Sequence, residues 1–172
     1  MSTEPIVALL QRIPIFARLS VAQITEIAGK AEKVKFRARQ NITEAGASGD
    51  GAYLLVSGSV ERTTAPDQSL PPGSLIGELA MLVEHNYGAT IVAKGRVHCL
   101  KITRAALHEL MLADPSLADL FSLHISERLH KTVDRLRRID HLLAGSQAGS
   151  AQQPAFMAAH TPASPERMLR AQ

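Results

Sequence analysis

The chain has 172 residues, of which 45% are hydrophobic, 3% aromatic and 20% charged, so it can bury one mainly aliphatic core and still have chain to spare. Its net charge of +3 suits an anionic ligand but is too small to predict a nucleic-acid-binding surface. A single cysteine, Cys99, excludes an internal disulfide, and the sequence contains no signal-peptide pattern or membrane-spanning run. We therefore expect a cytoplasmic protein that does not contact a membrane.

Two helices are predicted at the N-terminal end. Apolar residues recur at helical spacing from Glu4 to Arg12 and again from Val21 to Lys30. Ser20 stands at the N-cap position of the second helix.

The pattern then changes to short segments of strand type separated by glycine and proline turns. The predicted strands are Val34–Ala38, a short segment at Ile42, Ala52–Val56, Val60–Thr64, Thr90–Ala93 and Val97–Ile102. Ser57-Gly58-Ser59 predicts a hairpin between the third and fourth strands, and Asp67–Gly73 predicts a turn. This arrangement indicates a β-sandwich or barrel bracketed in sequence by helices.

A short helix capped by Thr103 and a long helix from Pro115 to Leu143 are predicted after the strands. Apolar residues from Ile125 to Leu143 repeat by four and three, as in a two-stranded coiled coil, with Thr132 the one polar position. This stripe predicts either a homodimer or a helix packed on its own domain. We assign residues 1–143 to one domain, with the strands at about 32–103 and the C-terminal helices at about 104–143. Residues 144–172 are rich in Ala, Gln, Ser and Pro, and we predict that they form a disordered tail.

The segment GELAMLVEHNYGAT, Gly77 to Thr90, is the main candidate for a ligand site. Gly77 allows close approach of the backbone, and Glu78 to Leu82 is typical of one or two helical turns whose free amides suit a phosphate. Glu78 is either a favourable carboxylate at a helix N-terminus or an acceptor for sugar hydroxyls. From these residues alone the helix N-terminus interpretation is favoured, because GELA by itself is a weak signal.

The order of motifs along the chain adds a family resemblance. Helices are followed by EAGASGDGAYLLVSGSVERT, PPGSLIGELAML and ATIVAKGRVHCLKI, and then by two further helices. From roughly Ile13 to Leu136 this resembles the cyclic nucleotide-binding domain of catabolite-activator-type regulators, cyclic nucleotide-dependent kinases and cyclic nucleotide-gated channels. The resemblance implies an α+β, mainly β fold: an antiparallel β-roll or double-stranded jelly roll flanked by N-terminal and C-terminal helices. It also implies a phosphate-binding cassette and a long C-terminal helix that acts as a lid.

The resemblance also implies roles for individual residues. Gly46, Gly49, Asp50 and Gly58 match turn positions that shape the roll. Glu78 matches the acceptor of the ribose 2′-hydroxyl, and Leu79 and Ala80 match positions whose amides meet the cyclic phosphate. The full set of predicted ligand-binding residues is Ile76, Gly77, Glu78, Leu79, Ala80, Tyr87, Gly88, Ala89 and Thr90, and the implied ligand is cAMP or cGMP.

The sequence departs from the family at Asn86-Tyr87, where nucleotide-binding members usually have Pro-Arg. Loss of a charge-assisted contact of about 1.5–3 kcal/mol would weaken binding by roughly one to two orders of magnitude. The Tyr87 hydroxyl could donate one hydrogen bond, and a protonated His85 could add charge. Alternatively, the Tyr87 ring fills the vacated space.

Other function classes are less well supported by the sequence. His85 and His98 do not form a metal-ligand pattern, and no nucleophile–base arrangement is evident, so we expect neither an enzyme nor a cofactor. The chain after Leu143 predicts no two-helix DNA-reading unit, so we do not expect direct nucleic-acid binding. Two hypotheses remain: a regulatory module that binds a cyclic nucleotide or other small anion, and a degenerate domain that acts as a dimerisation or interaction scaffold.

Overall fold

The computed structural model describes residues 3–148, with side chains placed for residues 4–65 and 68–143. Within that range the helices are α1 (Thr3–Gln11), α2 (Val21–Lys30), α3 (Arg104–Ala113) and α4 (Pro115–Ala148), with short 3-10 helices at Pro14–Phe16 and Glu78–Met81. The strands are β1 (Glu32–Phe36), β2 (Asn41–Thr43), β3 (Ser48–Gly49), β4 (Gly51–Ser57), β5 (Val60–Arg62), β6 (Ala65–Leu70), β7 (Leu75–Ile76), β8 (His85–Asn86), β9 (Ile91–Ala93) and β10 (Val97–Thr103). The predicted fold class is confirmed: antiparallel strands flanked by helices, the last of them long.

The strands form two four-stranded antiparallel sheets and one two-stranded sheet. The four-stranded sheets have the orders β1-β10-β4-β7 and β2-β9-β5-β6, and β3 pairs with β8. The predicted hairpin between β4 and β5 is therefore wrong, because these two strands lie in different sheets. Gly58, with a φ of +99°, turns the chain from one sheet into the other, and turn-forming residues alone do not distinguish such a crossing from a hairpin.

The predicted turn at Asp67–Gly73 is largely strand. β6 pairs with β5 through Val60 opposite Leu70 and Glu61 opposite Ser69, and the turn begins only at Pro71, whose carbonyl accepts the Ser74 amide at 3.2 Å. β6 is an edge strand, where polar residues are tolerated on the open side. The polar residues of β6 therefore indicated a turn rather than a strand in the sequence.

Apolar side chains form two clusters that position the roll. One packs the helices on the first sheet and includes Phe16 and Phe121, whose rings meet edge to face at 6.2 Å. The other lies within the roll; its buried members are Ile42, Leu55, Val60, Ile76, Ile91, Ala93, Val97 and Cys99. The candidate site lies against this second cluster.

The predicted helix starts are confirmed. The Ser20 hydroxyl accepts the Gln23 amide at 3.3 Å while the Gln23 side chain accepts the Ser20 amide at 3.0 Å, which is a capping box. Thr103 caps α3 by accepting the Ala106 amide at 3.2 Å.

The chain divides into two units inside α4, the first ending at Arg128 and the second beginning at Leu129. α4 continues to Ala148, five residues past the predicted helix end at Leu143. The remainder of the predicted tail, residues 149–172, lies outside the described residues. All of the site described below belongs to the first unit.

Candidate functional site

A cavity of about 370 Å³ lies where the second sheet and β7 meet the segment Gly77–Thr90, which we call the cassette segment. Its lining residues are Arg62, Leu70, Ser74, Leu75, Ile76, Gly77, Glu78, Leu79, Ala80, His85, Tyr87, Gly88, Ala89, Ile91 and Arg128. Eight of the nine predicted ligand residues are among them, and Thr90 is not. The volume is within the range typical of small-molecule sites.

A left-handed glycine starts the helical part of the cassette segment. Gly77 has a φ of +77° and precedes the 3-10 helix Glu78–Met81, which is held down by the buried side chains of Ala80 and Met81. The Ala80 amide donates to the Gly77 carbonyl at 2.9 Å. In this conformation that amide, which was predicted to meet a phosphate, is used within the turn.

Glu78 is the only carboxylate among the described residues that line the cavity, and it is paired with the first part of α4. His124 Nε2 lies 3.2 Å from Glu78 Oε1, and Arg128 Nη1 forms a short ion pair with Glu78 Oε2. The Glu78 side chain is 23% exposed, so it is partly shielded from water while it holds these partners. The predicted ribose acceptor therefore also connects the cassette segment to α4.

The Tyr87 side chain is turned inward beneath the cassette segment. Its hydroxyl donates to the Gly51 carbonyl at 2.9 Å, and its ring lies so close to Gly49 and Gly77 that a Cβ at either glycine would stand 3.1 or 2.7 Å from a ring carbon. Partial burial raises the pKa of Tyr87 above its ordinary value, so the hydroxyl stays protonated near neutrality. Because a phenol has one proton, the donor that could have served a phosphate is already bonded to Gly51.

The fold agrees with comparisons to known proteins. A family model described as the cyclic nucleotide-binding domain matches residues 33–114. Over these residues the chain is similar to the cyclic nucleotide-binding domain family.

Two of the curated relatives are a kinase regulatory subunit and a potassium channel. The chain is 32% identical over 108 residues to a cAMP-dependent protein kinase regulatory subunit of Aspergillus fumigatus, covering 60% of this chain and 26% of the relative. It is 29% identical over 120 residues to a cyclic nucleotide-gated potassium channel of Mesorhizobium japonicum, covering 70% of this chain and 34% of the relative. The chain thus spans about a quarter to a third of the length of these relatives.

Solved structures share the architecture. The N-terminal domain of a transcriptional regulator from Streptomyces coelicolor superposes with a TM-score of 0.68 at 27% identity, covering 74% of this chain and 94% of that one. The sensor domain of a transcriptional regulator from Pseudomonas aeruginosa has a TM-score of 0.58 at 22% identity, covering 77% of this chain and 93% of that one. The latter identity supports the fold alone.

Thr90 braces the roll from outside the cavity. Its hydroxyl accepts the Ala45 amide at 3.0 Å, and its carbonyl accepts the Thr63 amide at 3.0 Å. The turn residues Gly46, Gly49, Asp50 and Gly58 are also absent from the cavity lining, in line with the shaping role predicted for them. Asp50 forms an ion pair with Lys101 at 2.6 Å, and that hydrogen bond lowers the pKa of its carboxyl.

Arg104 holds the cassette segment to α3 and was missed in the sequence. Its Nη1 donates to the carbonyls of Gly49 (2.9 Å), Val83 (3.2 Å) and Ala80 (3.3 Å). A sequence signal was present: a positive charge in the first turn of a helix opposes the helix dipole, so an arginine directly after the Thr103 cap indicates a role outside the helix.

Several other lining residues were also missed in the sequence. Leu75 and Ile91 lie just outside the two ends of the cassette segment, and their strand character alone did not indicate a ligand contact. Leu70, Arg62 and Arg128 are farther away in sequence, and strand pairing and helix packing bring them to the cavity. Among residues 3–148 no cluster of three or more His, Cys, Asp or Glu side chains could hold a metal ion. No helix in this described part of the chain is both long and apolar enough to cross a bilayer.

Proposed function

We propose that this chain is a regulatory module that binds a cyclic nucleotide, cAMP or cGMP, or a related small anion in the cavity beside the cassette segment. The observation that carries the proposal is the convergence of eight predicted ligand residues on one cavity of about 370 Å³. An apolar wall with a few polar groups is the usual composition of a small-molecule site. Catalysis is not part of this role.

Glu78 supplies a route from the ligand to α4. A ribose hydroxyl that bonds to Glu78 would compete with, or rearrange, its contacts with His124 and Arg128. Ligand binding and the position of α4 then become coupled equilibria, because the ligand has different free energies with the two arrangements. The output would pass through a partner or a second copy of the chain.

We expect the affinity to be lower than in members with an arginine at position 87. The Tyr87 proton is committed to Gly51, and a neutral phenol does not replace a bidentate guanidinium. The expected loss is roughly one to two orders of magnitude in the dissociation constant.

The second candidate function is a scaffold that binds no nucleotide. The inward-turned Tyr87 ring, packed on Gly49 and Gly77, favours it because the space near position 87 is already filled. In that case the exposed side chains of α4 would carry the function through self-association.

Calorimetric titration of the full chain with cAMP and cGMP separates the two functions. The proposal expects saturable heat with at least one nucleotide, and Tyr87→Arg is expected to raise the affinity roughly 10- to 100-fold through a new charge-assisted contact. The matched control, Tyr87→Phe, keeps the ring and should leave the affinity near that of the native chain.

The outcomes are distinct. Absence of heat and of a thermal shift at millimolar nucleotide for the native chain, with binding by Tyr87→Arg, would favour the scaffold with an otherwise intact cassette. Absence of binding by both proteins would show that the cassette assignment itself is wrong.

A further inference from the structure

Arg62 on β5 lines the cavity. Side chains two apart on a strand lie on the same face, and Val60, two residues before Arg62, is fully buried. Arg62 is also directly opposite Ile91 on β9, and Ile91 is 3% exposed and lines the cavity. Paired residues of antiparallel strands share a face, so both relationships place Arg62 on the cavity side.

The charge of Arg62 is not compensated by the described side chains. The lining carries two guanidiniums, Arg62 and Arg128, and one carboxylate, Glu78. Glu78 is paired with Arg128 and His124, whereas no described carboxylate lies within 4.0 Å of Arg62. Counting His85 as neutral, the described lining residues carry a net charge of +1, and Arg62 is the guanidinium among them that has no described carboxylate within 4.0 Å.

The surroundings of Arg62 would strengthen an interaction with an anion. Leu70, Leu75 and Ile91 form an apolar part of the same wall, and a ligand seated against them would exclude water from the guanidinium. Exclusion of water lowers the effective dielectric constant and strengthens a charge–charge contact. Arg62 is exposed, so its own desolvation is deferred until a ligand arrives.

We propose that Arg62 is the anion-binding residue of this cavity and contacts the phosphodiester monoanion of the bound nucleotide. This inference rests on the proposed function and deepens it, because it places the compensating charge on β5 rather than at position 87 of the cassette segment. The negative group of the ligand is then oriented toward the second sheet, and Glu78 remains available to a hydroxyl.

Titration of Arg62→Gln with cAMP tests the proposal. The expected result is an affinity at least about 10-fold lower than that of the native chain, as for loss of one charge-assisted bond, with Arg62→Lys between the two. Arg96→Gln is the matched control, since Arg96 is exposed in the turn between β9 and β10, outside the cavity lining. It should bind within about twofold of the native chain.

Adenosine, which lacks the phosphate, separates a charge effect from a structural one. Arg62→Gln should leave adenosine binding unchanged, and added NaCl should weaken cAMP binding by the native chain more than by Arg62→Gln. An equal loss for adenosine and cAMP, or unchanged cAMP binding, overturns the inference while the proposed function stands. If the native chain binds neither cAMP nor cGMP, the proposed function and the inference both fail.

Discussion

The Tyr87 ring lies beneath the cassette segment because two neighbouring positions, Gly49 and Gly77, are glycine. Gly77 adopts a left-handed φ of +77°, and a Cβ there would lie 2.7 Å from a Tyr87 ring carbon. Gly49 approaches Ala80 and the same ring from another side. The inward position of Tyr87 therefore depends on missing Cβ atoms, in addition to the hydroxyl bond to Gly51.

Gly77→Ala should destabilise the fold by about 2 kcal/mol or more, because left-handed backbone strain adds to overpacking against Tyr87. Urea denaturation measures the change. Gly88→Ala is the matched control, since no atom lies within 4 Å of a Cβ built at Gly88 and its φ is not left-handed. Combination with Tyr87→Ala should recover part of the loss, and equal destabilisation by both single glycine variants would contradict the packing account.

At the scale of elements, Arg104 joins the cassette segment to the start of α3. Arg104 Nη1 donates to the carbonyls of Gly49, Ala80 and Val83. Gly49 belongs to β3, Ala80 belongs to the 3-10 helix Glu78–Met81, and Val83 follows that helix. The segment around the cavity is thus fixed to β3 on one side and to α3 on the other. This connection is independent of the contact between Glu78 and α4.

Arg104→Gln should loosen the cassette segment without disrupting the sheets. Loss of up to three hydrogen bonds to carbonyls predicts about 1–3 kcal/mol lower stability and faster hydrogen exchange at residues 78–87 than at β4 and β10. Hydrogen-exchange mass spectrometry of the native chain and the variant provides the measurement. Arg96→Gln should change neither quantity, and a uniform rise in exchange over the whole domain would argue against a local role for Arg104.

At the scale of the whole molecule, the second part of α4 carries an apolar stripe that is open to solvent. Leu129 is 61% exposed, Leu136 57%, Ile139 45% and Leu143 58%. These are the positions that the four-three spacing of the sequence assigns to a coiled-coil core. Dimerisation through this helix remains our prediction.

Leu136→Asp should shift the chain to monomer, because a carboxylate at a coiled-coil core position would be buried without a partner. Sedimentation equilibrium over a range of protein concentrations measures the association constant. Leu112→Asp is the control: Leu112 is 71% exposed on α3 and lies outside the stripe, so this variant should associate like the native chain. A native chain that remains monomeric at several hundred micromolar would refute the homodimer.

The sequence by itself determined the local features of this protein. Caps at Ser20 and Thr103, the break at Pro115 and most strands follow from interactions between residues a few positions apart. It also located the cassette segment, since the Gly77-Glu78 pair and its spacing to Tyr87 are properties of one continuous stretch.

The tertiary structure decided which strands pair and which distant residues share the cavity. The chain crosses between sheets at Gly58 instead of forming a hairpin, because sheet membership depends on the partners available to β4 and β5. Arg62, Arg104 and Arg128 look like ordinary charged residues in the sequence. The fold brings Arg62 to the cavity, Arg104 to backbone carbonyls and Arg128 to the Glu78 carboxylate. Likewise, the sequence shows a tyrosine at position 87, but only the fold shows what its side chain contacts. The ring packs against Gly49 and Gly77, and the hydroxyl donates to the Gly51 carbonyl.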